Sequence, residues 1–292
     1  MSFILAYELT AEGEKALEIT AASPDQLTSK LPPGFYTTFR TLAGGTKVLG
    51  LRAHLDRLYQ PAAAQGIRPA VSQHELRRML ARLAGQNAPS ESRVRLVLSA
   101  SDPPGAVFAI LQPFLPPPVE VYQQGVHTLT REMPRRNPRL KSTGFIASSQ
   151  EARQLIGNDV FEVLITSRGH ILEGMTSNFY AVQGGTLVTA RRGVLLGVTR
   201  RTILRLARAG GITIEYRAPN INEDFEEAFI TSSSRGVVPV VMINGRPVGE
   251  GRPGSVTKQL MEAYDGYVLR AAEQIYPDFV SSGLDLFCSK IS

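Results

Sequence analysis

The chain has 292 residues, 43% hydrophobic and 20% charged, with 32 Lys plus Arg against 26 Asp plus Glu for a formal net charge of +6. That length can bury a sizeable core and accommodate two domains, and the composition is that of a soluble globular protein. The basic residues are spread along the whole chain without a basic run interleaved with aromatics, which argues against a nucleic-acid partner, and no apolar run approaches the roughly 20 residues that a membrane span needs. The excess charge reads first as arginine-rich surface faces and second as attraction to phosphate- or carboxylate-bearing molecules. The single cysteine, Cys288, excludes an internal disulfide and fits a reducing cytoplasm. "MSFILAYELTAEGE" has no basic residue ahead of its apolar run and is not read as a signal peptide, so a cytoplasmic protein is expected.

In chain order, "FILAYEL" and the pair within "GFYTTFRTLAGGTKVLGL" read as strands, the pair joined at "AGGT". From Ala53 to Gln65 the pattern turns helical, with Leu55, Leu58 and Ala62 on one side. "SQHELRRMLARLAG" is a second helix with Ser72 as N-cap, Glu75 at capping-box spacing and Gly85 as its stop. "SRVRLVLSA" and "AVFAILQPF" are strands around the "SDPPG" turn, and Pro116 to Pro118 make a stiff extended connector. Beyond it, "FEVLITSRGHILEG" and "SNFYAVQGGTLVTA" are hairpins, and "TRRTILRLARAGG" is a helix with Ile203, Leu206 and Ala207 inward. "AFITSSSRGVVPVVMINGRPV" is a strand, a polar turn and a hairpin at Asn244-Gly245, and "SVTKQLMEAYDGYVLRAAEQI" is a closing helix. The expected fold is α/β (α+β) in two domains. A small α/β domain spans 1–114, a Pro-rich linker 115–121, and a larger strand-rich domain 122–292.

Metal chemistry has no support, because His54, His74, His127 and His170 are far apart and none stands at ligand spacing. The GxGxxG at Gly249, Gly251 and Gly254 contains Pro253 and follows a hairpin, so it reads as a turn entering a helix. Four other features fit together. The first is Lys141 in "NPRLKSTGF", one of only six lysines in a chain that elsewhere uses arginine; a lysine can form a Schiff base with an aldehyde and an arginine cannot. The second is Glu173 in "ILEGMTSNFY", at a strand end. The third is "LLGVTRRTI", where Val198 and Thr199 stand at a helix N-terminus suited to phosphate. The fourth is the hydroxyl-rich turn "TSSSRG". Singly, these are a surface charge, a turn acid, an N-cap and a polar loop. Together they supply the parts that pyridoxal phosphate needs: an aldehyde-binding amine, an acid for the ring nitrogen and two anion cradles.

These segments, in this order and spacing from about Gly34 to Tyr267, resemble the class IV aminotransferases, the fold-type IV pyridoxal phosphate enzymes. That family includes branched-chain and D-amino acid aminotransferases and 4-amino-4-deoxychorismate lyases. The resemblance implies a D-amino acid aminotransferase-like fold, pyridoxal 5′-phosphate as cofactor, and a homodimer with each active site near the subunit interface. It also implies small-molecule amino acid and 2-oxo acid substrates. Residue by residue, it makes Lys141 the Schiff-base lysine and proton carrier, and Glu173 the partner of the pyridine nitrogen. Arg57 in "HLDRL" becomes the phosphate arginine, with Val198, Thr199, Ser232 and Ser233 around the phosphate and Asn178 in support. His54 in the same motif is read as packing. Alternation in "FYTTFRT" puts Tyr36, Thr38 and Arg40 on one face, which the family points at substrate. Arg40 is then either a carboxylate partner or a solvent-facing strand arginine. The sequence departs from the branched-chain pattern in two places: "SKLPPGFYTTFRT" lacks a D-R-G-x-x-x-G-D-G segment, and Ile146 stands where those enzymes have tyrosine. Transamination is the leading expectation, pyruvate elimination from aminodeoxychorismate the runner-up, and a noncatalytic binding protein on the same fold the alternative from another class.

Overall fold

The computed structural model describes residues 4–277 except 134, 136 and 158, so Cys288 and Arg136 lie outside the described residues. The first part of the chain runs β1 (Leu5–Thr10), β2 (Gly13–Ala16), α1 (Pro24–Thr28), β3 (Gly34–Arg40), β4 (Lys47–Leu49), α2 (Leu51–Ala64), α3 (Gln73–Gly85), β5 (Ser92–Ser99) and β6 (Val107–Pro113). Its antiparallel sheet has the order β2-β1-β6-β5-β3. The period-2 pattern of β3 sorts its faces: Phe35 and Phe39 join the core under α2 and α3, and Tyr36 faces a second cluster with Leu27, Val97 and Ile110. Leu55, Leu58 and Ala62 of α2 are all fully buried in the first of these clusters. In α3 the capping box from Ser72 to Glu75 has both of its hydrogen bonds, at 3.2 and 2.8 Å.

The remainder runs α4 (Val119–Gln123), β7 (Val126–Glu132), α5 (Gly144–Ser148), α6 (Gln150–Arg153), β8 (Glu162–Ser167), β9 (His170–Gly174), β10 (Asn178–Gln183), β11 (Thr186–Val188), α7 (Val198–Ala209) and β12 (Ile214–Glu215). It ends with β13 (Glu227–Ser232), β14 (Gly236–Ile243), β15 (Arg246–Pro247), α8 (Ser255–Ala271) and β16 (Ala272–Gln274). The second sheet has the order β12-β11-β10-β13-β14-β7-β8-β9, and β9 pairs back onto β10 through Glu173 and Asn178. Six strands, β10, β13, β14, β7, β8 and β9, thereby close into a ring. Among the described residues no helix is long and apolar enough to cross a membrane.

Three elements differ from the sequence expectation. The end of the proline connector is not wholly extended, because Val119–Gln123 makes a helical turn after Pro118. β7, whose segment "VHTLTRE" lacks a clean hydrophobic alternation, is a central parallel strand between β14 and β8. The last helix stops at Ala271 rather than Ile275, and residues 272–274 pair antiparallel with β4. Glu273 there accepts from the Arg52 amide at 3.3 Å and from Arg77 at 3.2 Å, and Ile275 is buried in the first core. These distant partners outweigh the local helical pattern.

The GxGxxG segment is a turn into α8, and its helix N-terminus is already occupied. The buried Glu227 carboxylate of β13 accepts from the Val256 and Thr257 amides at 3.0 and 2.7 Å and from the Thr257 hydroxyl at 2.7 Å. A Cβ on Gly254 would lie 2.1 Å from the Glu227 carboxyl carbon, so only glycine admits this cap. Glu227→Ala should cost about 1–3 kcal/mol in chemical denaturation, with hydrogen exchange accelerating first at Val256 and Thr257.

Candidate active site

Lys141 belongs to no strand, yet its segment is fixed to the outer edge of β3. The Tyr36 amide donates to Lys141 O at 2.8 Å, and the Thr143 amide donates to Gly34 O at 2.9 Å. The Gly34 amide in turn donates to Thr143 Oγ1 at 2.9 Å. The Lys141 amine lies 4.7 Å from the centre of the Tyr36 ring. Burial in the pocket pulls its pKa down, and Arg57, Arg135 and Arg95 pull it further, while Tyr36 opposes them. Burial alone would raise the Tyr36 phenol, but Lys141, Arg95 and Arg153 hold it below its ordinary value.

Glu173 comes into the same pocket from the pair that closes the ring of strands, with only 1% of its surface exposed. One carboxylate oxygen pairs with Arg135; the other accepts from the Leu195 amide at 2.9 Å and from Asn178 Nδ2 at 3.3 Å. Asn178 also donates to Leu195 O at 2.8 Å, which ties the acid to the segment entering α7. Burial pushes the Glu173 carboxyl upward, against Arg135, the Leu195 amide and Lys141, which favour its charged form.

The N-terminus of α7 opens on the pocket at Val198 and Thr199 with Gly197 as N-cap, and among the described residues no side chain caps it, in contrast to α8. A Cβ on Gly197 would fall 2.2 Å from Asn178 Oδ1, so glycine is what lets the helix end approach the acid this closely. The Thr199 and Ser233 hydroxyls lie 3.3 Å apart, bringing the two expected cradles together. Ser232 also lines the pocket, but its hydroxyl accepts from the Arg235 amide and Nε at 3.3 and 3.2 Å. Arg57 reaches across from α2 to donate to Leu196 O at 2.8 Å. Its pKa falls to about 10 through burial and the nearby Arg201, so it remains charged at neutral pH. His54, one turn earlier, packs against Phe39 and shares a 2.7 Å hydrogen bond with Thr37 on the far face of β3.

Tyr36 and Thr38 line the pocket, but Arg40 does not. It lines an adjoining cleft with Tyr264 and Val268, its guanidinium 5.0 Å from the Phe114 ring centre. A strand rises about 3.3 Å per residue, so Arg40 shares the face of Tyr36 but stands four residues further along it. The arginines that do reach the pocket from this sheet are Arg93 and Arg95 on β5, opposite Arg40 and Thr38. Their i, i+2 spacing in "SRVRLVLS" was the available signal. Asp25 behind them sits on α1, announced by Ser23 and Pro24 at its start. Arg135 and Arg235 carried no local signal, because their partners Glu173 and Glu162 are remote in sequence. Among the described residues no group of three or more His, Cys, Asp and Glu side chains could hold a metal ion.

The sequence profile of the family Amino-transferase class IV matches residues 34–243. The chain is 29% identical over 251 residues to the D-alanine aminotransferase of Bacillus licheniformis, covering 81% of this chain and 88% of that one. It is 29% identical over 245 residues to the "Probable branched-chain-amino-acid aminotransferase" of Thermotoga maritima, covering 82% and 87%. The T.th. branched-chain amino acid aminotransferase, solved with pyridoxamine 5′-phosphate, superposes with a TM-score of 0.76 at 20% identity, over 93% of this chain and 98% of that one. That likeness is one of fold.

The lowered pKa of Lys141 has a direct readout. Reductive methylation of the cofactor-free protein with formaldehyde and cyanoborohydride, followed by mass spectrometry, should show the Lys141 rate rising with pH along a limb below 10.5, the ordinary lysine value. Arg57→Gln removes a cation that favours the neutral amine, so the limb should move to higher pH.

Proposed function

We propose that this chain, which belongs to the class IV aminotransferase family, is a pyridoxal 5′-phosphate-dependent transaminase that moves an amino group between an amino acid and a 2-oxo acid. The observation that carries this reading is convergence. Lys141, Glu173, Thr199 and Ser233, from four separate segments, line one pocket together with Arg57. These residues fit the cofactor in number and chemistry: one amine, one buried acid, one uncapped helix end, two adjacent hydroxyls and one arginine. When bound, the cofactor supplies an aldehyde for amine exchange and a ring that accepts electrons.

The chain's own residues divide the remaining work. Lys141 would hold the aldehyde, and its amine, once released, would take the proton from the substrate Cα and deliver it to the cofactor's former aldehyde carbon, C4′. Its lowered pKa favours the neutral, proton-accepting form. Glu173, paired with Arg135, would hold a proton on the ring nitrogen, with Asn178 fixing its second oxygen. The Val198 and Thr199 amides, the Thr199 and Ser233 hydroxyls and Arg57 would hold the phosphate, with Ser232 bracing that turn through Arg235. Tyr36 and Thr38 would face the substrate. The same reading keeps a small domain at 1–114, a linker at 115–121 and a cofactor-binding domain at 122–292, with β16 crossing back to pair with β4.

The purified protein should be yellow, and borohydride should fix the cofactor to Lys141. Amino acids added singly, as separate D and L forms, should bleach the absorbance only when they are true donors, and a 2-oxo acid should restore it. Wild-type turnover in Lys141→Ala would sink the assignment, and pyruvate release without amino transfer would move it to the lyase. Arg57→Ala should weaken cofactor retention by about tenfold or more.

A further inference from the structure

Helix α8 buries Thr257, Leu260, Tyr264 and Val268, a stripe at helical spacing. Leu260, Tyr264 and Val268 pack in one apolar cluster with Tyr180, Phe229 and Val237, and Tyr264 is only 4% exposed. A phenylalanine would fill the same place. The hydroxyl needs a reason, because a buried phenol is costly without a partner. Gly236, at φ +67°, closes the hydroxyl-rich turn against the Tyr264 ring, and a Cβ on it would lie 3.3 Å from Tyr264 Cε1. Tyr264 also shares a cleft with Thr199, Ser233 and Arg40. Thr199 and Ser233 line the pocket that holds Lys141 as well, so their hydroxyls, 3.3 Å apart, form the wall between the two spaces. Burial pushes the pKa of the phenol up, helped by Asp265 and Tyr122, against a hydrogen bond with Thr199 and the charge of Arg40. The phenol therefore keeps its proton at neutral pH.

A hydroxyl has one proton to give and two lone pairs that accept, whereas a phosphate dianion only accepts. Left to themselves, one of the Thr199 and Ser233 hydroxyls can direct its proton at the other instead of at a phosphate. A phenol that donates to Thr199 Oγ1 occupies a lone pair of that oxygen and leaves the Thr199 proton to point into the pocket. We propose that Tyr264 is a positioning residue for the phosphate end of the cofactor, acting through Thr199. Its phenol donates to the Thr199 hydroxyl from behind and turns that hydroxyl's proton towards the phosphate. Tyr264 itself touches no reacting atom. The relay ties α8, whose own N-terminus is capped by Glu227, to the start of α7. This inference rests on the transaminase reading for the identity of the phosphate, and on the shared wall for the geometry.

The test is calorimetry on the cofactor-free full chain with two ligands that differ only in the phosphate, pyridoxamine 5′-phosphate and pyridoxamine. Neither has an aldehyde, so Lys141 forms no bond to them and binding alone is read. The wild type should bind the phosphorylated ligand about 100-fold more tightly or better. Tyr264→Phe, which removes one oxygen, should weaken that ligand by about three- to tenfold and leave pyridoxamine unchanged. In a Thr199→Val background the same change should have no further effect. Equal weakening of both ligands by Tyr264→Phe, or additive losses in the double variant, overturns the proposal. Phosphorus NMR of the bound ligand is the second readout. The second phosphate pKa, about 6 when free, should lie lower in the complex because the donors favour the dianion, and Tyr264→Phe should move it back up. An unmoved midpoint also overturns the relay. A wild type that does not distinguish the two ligands would sink the cofactor reading and this inference with it, whereas a preference that Tyr264→Phe leaves intact removes the relay alone.

Discussion

Three hydrogen bonds between residues 34–36 and 141–143 hold the pocket in its present form. They satisfy the outer edge of β3, which the five-stranded sheet leaves unpaired, and they set Lys141 over the Tyr36 ring. Gly34 makes this possible, since a Cβ there would lie 2.0 Å from Leu98 O. The lysine is thus positioned by the register of its main chain against β3, with the Thr143 hydroxyl completing the seam. Everything that acts on Lys141 in the proposed chemistry depends on this seam between a segment that follows the first sheet and the sheet's last strand.

The acid is positioned by a different constraint of the same kind. Glu173 and Asn178 form the register pair at which the ring of strands closes, so the fold cannot close without bringing them together. Asn178 then ties Glu173 to Leu195, and through it to the uncapped start of α7. The amine and the acid are held by separate pairings from separate sheets. The shared pocket acts on them with opposite sign, because burial disfavours either charged form: it lowers the amine's pKa and raises the acid's, while the arginines lower both.

The pocket concentrates positive charge that composition alone assigns to the surface. Four of the lining arginines pair within the protein with three carboxylates, Arg95 and Arg153 sharing Asp25, Arg235 with Glu162 and Arg135 with Glu173, which makes them structural braces as well as electrostatic ones. Those pairs decide which cations remain available to a ligand. Arg40, the arginine that strand alternation puts forward, lines the neighbouring cleft instead. Arg93, directly opposite it on β5, reaches the pocket together with Arg95. Alternation assigns a face correctly but does not say how far along that face a pocket extends.

Local rules were written in neighbouring residues and could be read there. The capping box of α3, the buried stripe of α2, the glycine turns of the hairpins and the order of the lysine, acid, helix-start and hydroxyl motifs all follow from near-neighbour chemistry. The resemblance to the family rests on that same linear order. The three-dimensional structure decided what depends on pairing between distant segments: β7 as a central strand, β16 returning to β4, Glu227 capping α8, and Asp25 bridging Arg95 and Arg153. Each of these joins residues tens to hundreds of positions apart. Periodicity and capping report what a segment forms. Which segments meet depends on the register of the sheets, and that register is a property of the whole chain.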